Sequence, residues 1–219
     1  MQPLTNVNTR EDRAPTIRRP TQKRGKERFE AILDATDRLL AGQEPSELSI
    51  YSIAKEAGVS AQSVYHFFPD TDCVFLALAE RLNAVFIGSQ EAPPEEAKRS
   101  WQTLLDYRFK AARDLYNETP AARKLLLGSG LSAALRARDM EFDRRFATRG
   151  AEELRNVFQL PEFPNLVNRL TELLAINDSI WALSVHRHGI ITEELEEQAR
   201  RARVAYARTF LPEYLDPKP

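Results

Sequence analysis

Apolar positions recur at helical spacing along most of the chain. Phe29, Ile32, Leu33, Thr36, Leu39 and Leu40 mark one face and predict a helix over about residues 26–41. A link over 42–46 leads to a second helix over 50–57 and a third over 61–67. Pro69 stops the third, and Asp70 or Thr71 can cap a fourth that runs to about residue 87. On this fourth helix Val74, Phe75, Leu78, Leu82 and Val85 are expected to face inward. Residues 88–94, ending in Pro93-Pro94, form the clearest boundary. Helices over 95–116 and 120–127 should follow, then a break at Gly128-Ser129-Gly130. A long helix over 131–158, with an irregularity near Gly150, ends before Pro161 and Pro164. The helix expected over 165–187 is apolar on most of its circumference, through Leu166, Leu170, Leu173, Leu174, Ile176, Ile180, Trp181, Leu183 and Val185, and must be covered on two sides. Gly189 ends it. Thr192 can cap the last helix, whose stripe of Leu195, Ala199, Ala202, Tyr206 and Phe210 stops near Pro212. The pattern predicts an all-α fold: an N-terminal three-helix unit and a larger helical unit behind it.

Composition narrows the chemistry. Among 219 residues, 42% are apolar, ample for a packed core. The one cysteine, Cys73, leaves no internal disulfide and no cysteine-based zinc site. It fits a reducing cytoplasm, where the chain is expected to reside. No apolar run reaches membrane-spanning length and no secretory h-region is visible, so no membrane association is expected. There is no Gly-rich phosphate loop and no Gly-x-Ser-x-Gly elbow. His186 and His188, two apart on a helix, point nearly opposite ways and chelate one metal poorly. Neither enzymatic activity, nor a cofactor, nor a metal is expected. The net charge is −1, yet Arg18, Arg19, Lys23, Arg24, Lys26 and Arg28 gather ahead of the first helix against Glu27 alone. Residues 1–23 are expected to form a disordered basic tail, with Arg24 and Lys26 placed for phosphate or minor-groove contact.

The densest signal lies at residues 53–68. Ala54 and Ala57 let two helices approach, Gly58 supplies a left-handed turn, and Val59 plugs the angle between them. Ser60 is an N-cap for the helix that follows. Val64 and Phe67 fall on its buried side, which leaves Gln62, Ser63 and His66 outward. This is a helix-turn-helix, whose second helix enters a major groove. Gln62 can pair bidentately with an adenine edge, Ser63 with several base edges, and Ala61 offers a methyl, to thymine for instance. Ser60 aims the positive helix end at the backbone. His66 reads either as a DNA contact or as a half-buried surface histidine. Ser49 reads as a phosphate contact or as a simple cap.

The order Arg28-Phe29-Glu30-Ala31-Ile32-Leu33-Asp34-Ala35, Leu39-Leu40, Leu48-Ser49-Ile50, then 53–68 continuing through Pro69-Asp70-Thr71-Asp72, resembles the DNA-binding domain of the tetracycline-repressor (TetR-type) family over residues 24–87. The resemblance implies a helix-turn-helix domain at 24–70, a connector helix at 71–87, and an effector-binding and dimerisation domain at 88–219. Tyr65 matches the family's tyrosine that contacts phosphate or a neighbouring base. Thr71, flanked by Asp70 and Asp72, stands where many members carry a phosphate-gripping lysine. The resemblance, with the all-round apolar helix, implies a homodimer through the last two helices. It also implies a palindromic double-stranded operator and a small-molecule effector. Trp101, Tyr107, Phe109, Phe142, Phe146, Asn177 and Trp181 are candidate lining residues, though each taken singly reads first as ordinary core; Asp178 beside Asn177 can orient a ligand or bond across the dimer. The aromatic supply suggests an apolar or aromatic effector. The function implied is a ligand-responsive regulator, in the first instance a repressor. The alternative is an activator, or a DNA-binding protein without an effector, whose aromatic cluster would be solid core.

Overall fold

The computed structural model describes residues 16–88, 91–128 and 133–218, with backbone alone at 133–136, 138 and 139. The described residues form nine α-helices: α1 (Lys23–Gly42), α2 (Ile50–Glu56), α3 (Ala61–Phe67), α4 (Thr71–Gly88), α5 (Trp101–Glu118), α6 (Pro120–Leu126), α7 (Ala133–Val157), α8 (Leu166–His188) and α9 (Glu193–Ala207). The fold is all-α, with no strand among them beyond an isolated antiparallel bridge between Phe158 and Pro217.

Two apolar cores divide the molecule. The first is built on Phe29, Ile32, Leu33 and Leu40 of α1, Ile50 and Ile53 of α2, Val64 and Phe67 of α3, and Val74, Phe75 and Leu78 of α4. It continues into Ala121, Ala122, Leu125 and Leu126 of α6, so the head rests on this short helix as well as on α4. Lys124 reinforces the seat, donating to the Gln43 carbonyl at 2.8 Å and pairing with Glu44 at 3.1 Å. The second core joins Trp101, Leu104 and Phe109 of α5 to Ala151 and Leu154 of α7, Leu170, Leu173 and Trp181 of α8, and Ala199 and Val204 of α9.

Most helix ends follow from local chemistry. Asp70 rather than Thr71 caps α4, its Oδ1 accepting the Cys73 N–H at 2.8 Å. Thr192 caps α9 by accepting the Leu195 N–H. Gly189 ends α8 in the left-handed region, at φ 73°.

Several expectations need correction. The helix expected from residue 95 begins at Trp101. Ser100 is extended there and forms a reciprocal cap with Thr103, leaving only a 3-10 turn at Ala97–Arg99. Helix α7 runs through Gly150 without a break, and its expected first residues 131 and 132 lie outside the described residues. Val85 is 52% exposed, because the inward stripe of α4 passes instead through Leu82, Asn83 and Phe86. Helix α9 ends at Ala207, and its buried stripe runs through Ala199, Arg203, Val204 and Ala207. Of the expected disordered tail, residues 1–15 lie outside the described residues, whereas residues 16–22 lie against the head. Ile17 packs on its core, and the Arg18 N–H donates to the Phe67 carbonyl at 2.9 Å.

Candidate nucleic-acid interface and interior cavity

The turn between α2 and α3 has the expected construction. Gly58 sits at φ 66°, and the Val59 N–H returns to the Ala54 carbonyl at 3.0 Å. Ser60 accepts the Ser63 N–H at 3.2 Å, and the two hydroxyls lie 2.9 Å apart. Val64 and Phe67 are sealed in the core, while Gln62, Tyr65 and His66 are exposed and Ala61 and Ser63 half-buried. The outward residues of α3 therefore share one face held on a rigid base. Phe29 meets Phe67 edge-on, with ring centroids 5.7 Å apart, and His66 lies edge-on to Phe67 at 5.0 Å. Ser49 is an exposed cap of α2, exchanging hydrogen bonds with Ser52. Thr71 is half-buried at the first turn of α4.

Charge near this face comes from the approach to α1. Arg24 and Lys26 are exposed on its first turn. Arg19 turns the other way, pairing with Glu80 of α4 and lying 5.9 Å from the Phe29 ring centroid. Tyr51, 70% exposed at the second position of α2, is a large outward aromatic that pattern reading passed over. Its only signal was an aromatic in the first turn, at a position the core does not use.

Between α4, α5, α7 and α8 lies a cavity of about 320 Å³, within the range of small-molecule sites. Tyr107, Phe109, Phe146 and Trp181 line it, as the aromatic pattern suggests. Trp101, Phe142 and Asn177 do not. Trp101 is fully buried and donates through Nε1 to the Pro212 carbonyl at 2.8 Å. Phe142 is buried beneath the Arg145 guanidinium, 5.2 Å from its ring centroid. Asn177 accepts from Arg203 at 3.0 Å and donates to Asp178 at 3.2 Å, within the subunit. Asp178 does line the cavity.

Residues missed by pattern reading complete the walls. Asn83 and Phe86 enter from α4, Tyr116 from α5, and Asp143 from α7. Phe86 and Tyr116 stack obliquely with centroids 4.7 Å apart, and Tyr116 meets Trp181 edge-on at 5.7 Å. The signal for Asn83 was one amide among the apolar positions of α4, unreadable until α5 and α7 show what it faces.

No group of three or more His, Cys, Asp or Glu side chains is placed to hold a metal among the described residues. No helix among them is long and apolar enough to cross a membrane.

Comparison with known proteins agrees with this geometry. The family model of bacterial regulatory proteins of the tetR family matches residues 32–78. The HTH-type transcriptional regulator EthR of Mycolicibacterium smegmatis is 32% identical over 103 residues, covering 45% of this chain and 48% of that protein. An uncharacterized HTH-type transcriptional regulator of Haemophilus influenzae is 36% identical over 69 residues, covering 32% of this chain and 37% of that one. The match thus spans about half the length of the first relative and less of the second. A TetR transcriptional regulator from Rhodococcus sp. RHA1 shares the fold, with a TM-score of 0.63 at 16% identity over 83% of this chain and 96% of that one. Over residues 32–78 the head thus matches the tetR family of bacterial regulatory proteins, and the helical fold of the chain is the one a solved TetR regulator also adopts.

Proposed function

We propose that this chain is a ligand-responsive transcriptional repressor that binds a palindromic operator as a homodimer and is released by a small-molecule effector. Residues 24–70 read DNA, 71–87 connect, and 88–219 bind the effector and dimerise. One observation carries the reading: α4 is at once a wall of the cavity and a strut of the head. Asn83 and Phe86 line the cavity, while Arg81, two and five residues before them, pairs with Glu30 at 3.2 Å and Asp34 at 2.6 Å on α1. A molecule that fits one setting of α4 better than another biases the head by that difference in affinity. The cavity also counts against the effector-free alternative, which calls for a solid aromatic core.

In this reading Gln62 and Ser63 meet base edges, with Ala61 near a thymine methyl. Tyr65, His66, Ser49, Ser60 and Thr71 lie along the backbone, and Arg24 and Lys26 supply phosphate contacts. The twin head comes from a four-helix bundle of α8 and α9 with their symmetry mates. Support for this is the outer stripe of α8, where Ala175, Ser179 and Leu183 are exposed beside half-buried Ile176 and Ile180.

The test is selection of bound sequences from a random double-stranded library by the purified protein. An enriched dyad with half-sites about one helical turn apart, or a multiple of one, is expected. No enrichment, or a single half-site without a dyad, overturns the proposal.

A further inference from the structure

The cavity is walled by aromatic rings, among them Phe109, Tyr116 and Trp181, which suit a planar apolar body. One wall group is out of keeping with them. Asn83 is 4% exposed and lines the cavity, yet its Nδ2 has no hydrogen-bond partner. Buried amide donors are almost always satisfied, so one left unpaired on a cavity-lining residue points to a missing acceptor. The sign of that acceptor follows from its surroundings. Asp143 and Asp178 bring carboxylates to the lining. The one guanidinium among the described residues of the lining, that of Arg108, is engaged by Glu153 and by the Glu91 carbonyl at 2.8 Å. An anionic acceptor would therefore meet like charge, and a cationic head offers nothing to a donor.

We infer that the cavity recognises an uncharged aromatic molecule bearing a hydrogen-bond acceptor such as a carbonyl, and that Asn83 donates to that atom. This rests on the effector-binding reading above and adds the ligand class and the group that selects it. It also places the selecting contact on α4, the helix that carries the head.

The experiment uses three probes of one shape: 4-acetylbiphenyl, with a neutral acceptor; 4-ethylbiphenyl, with none; and biphenyl-4-carboxylate, an anion. Binding to the full chain is followed by calorimetry and by the fluorescence of Trp181 and Trp101. The acetyl compound is expected to bind about tenfold tighter than the ethyl compound, the worth of one hydrogen bond to an otherwise unpaired buried group, and the carboxylate weakest. In Asn83→Leu the acetyl preference disappears. Asn83→Ala, which removes the donor without adding bulk, loses it too and carries the test if the leucine variant does not fold. Equal binding of acetyl and ethyl compounds by the wild type, as when a buried water already serves Asn83, overturns the inference but leaves the effector cavity standing. So does tightest binding of the carboxylate. Failure of all three probes to bind overturns the inference together with the effector reading beneath it.

Discussion

The Arg203 guanidinium lies 4.4 Å from the centroid of the Phe109 ring, and the arginine side chain is 1% exposed. Burying such a charge requires partners. Arg203 donates to Glu196 at 2.9 Å, Asp106 at 3.2 Å and Asn177 at 3.0 Å. Glu196 also accepts the Trp181 Nε1–H at 2.6 Å. Phe109 and Trp181 meet edge-on at 5.9 Å, and both line the cavity. A charged cluster of α5, α8 and α9 thus braces two aromatic walls from behind.

Truncating Arg203 leaves Glu196 without its cation and Asp106 with only the longer contact to Arg200, at 3.8 Å. Arg203→Ala should cost about 3 kcal/mol, the lower end for breaking a buried pair because Asp106 retains some access to water. Urea unfolding measures this. The double variant Arg203→Met/Glu196→Gln should recover most of the loss, since the charge and its partner then disappear together. Recovery of nothing would mean that Arg203 acts through packing on Phe109 alone.

Gly58 tests the turn. A Cβ there meets nothing within 4 Å, so only its φ of 66° opposes substitution. Gly58→Ala should lower stability by about 1–2 kcal/mol through left-handed backbone strain. Gly42, equally open and without a positive φ, should tolerate alanine within about 0.5 kcal/mol. Thermal melts of the two variants separate backbone strain from a general intolerance of the head.

On DNA, Gln62→Ala should change preference by about 1–3 kcal/mol at one position per half-site. Arg24→Ala and Lys26→Ala should instead weaken all sequences alike, each reducing the salt slope by about one. Fluorescence anisotropy across salt and across operator variants distinguishes them. A uniform loss for Gln62→Ala would make it a positioning residue.

The head was readable in advance because each of its rules is local. Gly58, Ser60 and Pro69 act within a few residues of themselves, and the spacing of Phe29, Ile32, Leu33 and Leu40 requires only a helix. The same holds for Thr192 and Gly189 at helix ends. The cavity was half readable, because an aromatic on a helix looks alike whether it borders space or packing. Phe109 and Trp181 border the cavity, whereas Trp101 is held by the Pro212 carbonyl far along the chain. Asn177 looked like a ligand contact until Arg203, 26 residues on, claimed its oxygen. The seating of α6 on the head was unreadable for the same reason: Ala121 and Leu125 join the core of the head, and Lys124 reaches Gln43, only through tertiary packing.

Cys73 should be chemically silent. It is fully buried, and its thiol is pushed up to about 12 by burial first and then by the Asp70 carboxylate that caps the same turn. Native protein at about pH 8 should resist thiol reagents and react fully once unfolded. The sign of the linkage follows. The unfolded thiol ionises near 9.0 while the folded one holds its proton to about 12. This group therefore leaves stability untouched below 9.0, and stability falls as pH climbs between those values. Rapid labelling of the native protein would show that the first turn of α4 opens locally.

Gly150 offers a way to close the cavity without touching its polar groups. It lies within α7 on the cavity wall, where an added Cβ meets the Leu170 Cδ1 at 3.9 Å, an ordinary contact. Gly150→Ala should therefore raise stability by about 0.5–1 kcal/mol through helix propensity and a stiffer unfolded chain. Gly150→Leu extends the side chain from the same wall. It should keep operator binding at the wild-type level while 4-acetylbiphenyl binding disappears, leaving DNA binding that no longer responds to the probe. If Gly150→Leu instead releases DNA unaided, filling the cavity is itself the inducing event, and the setting of α4 depends on occupied volume more than on any bond a ligand makes.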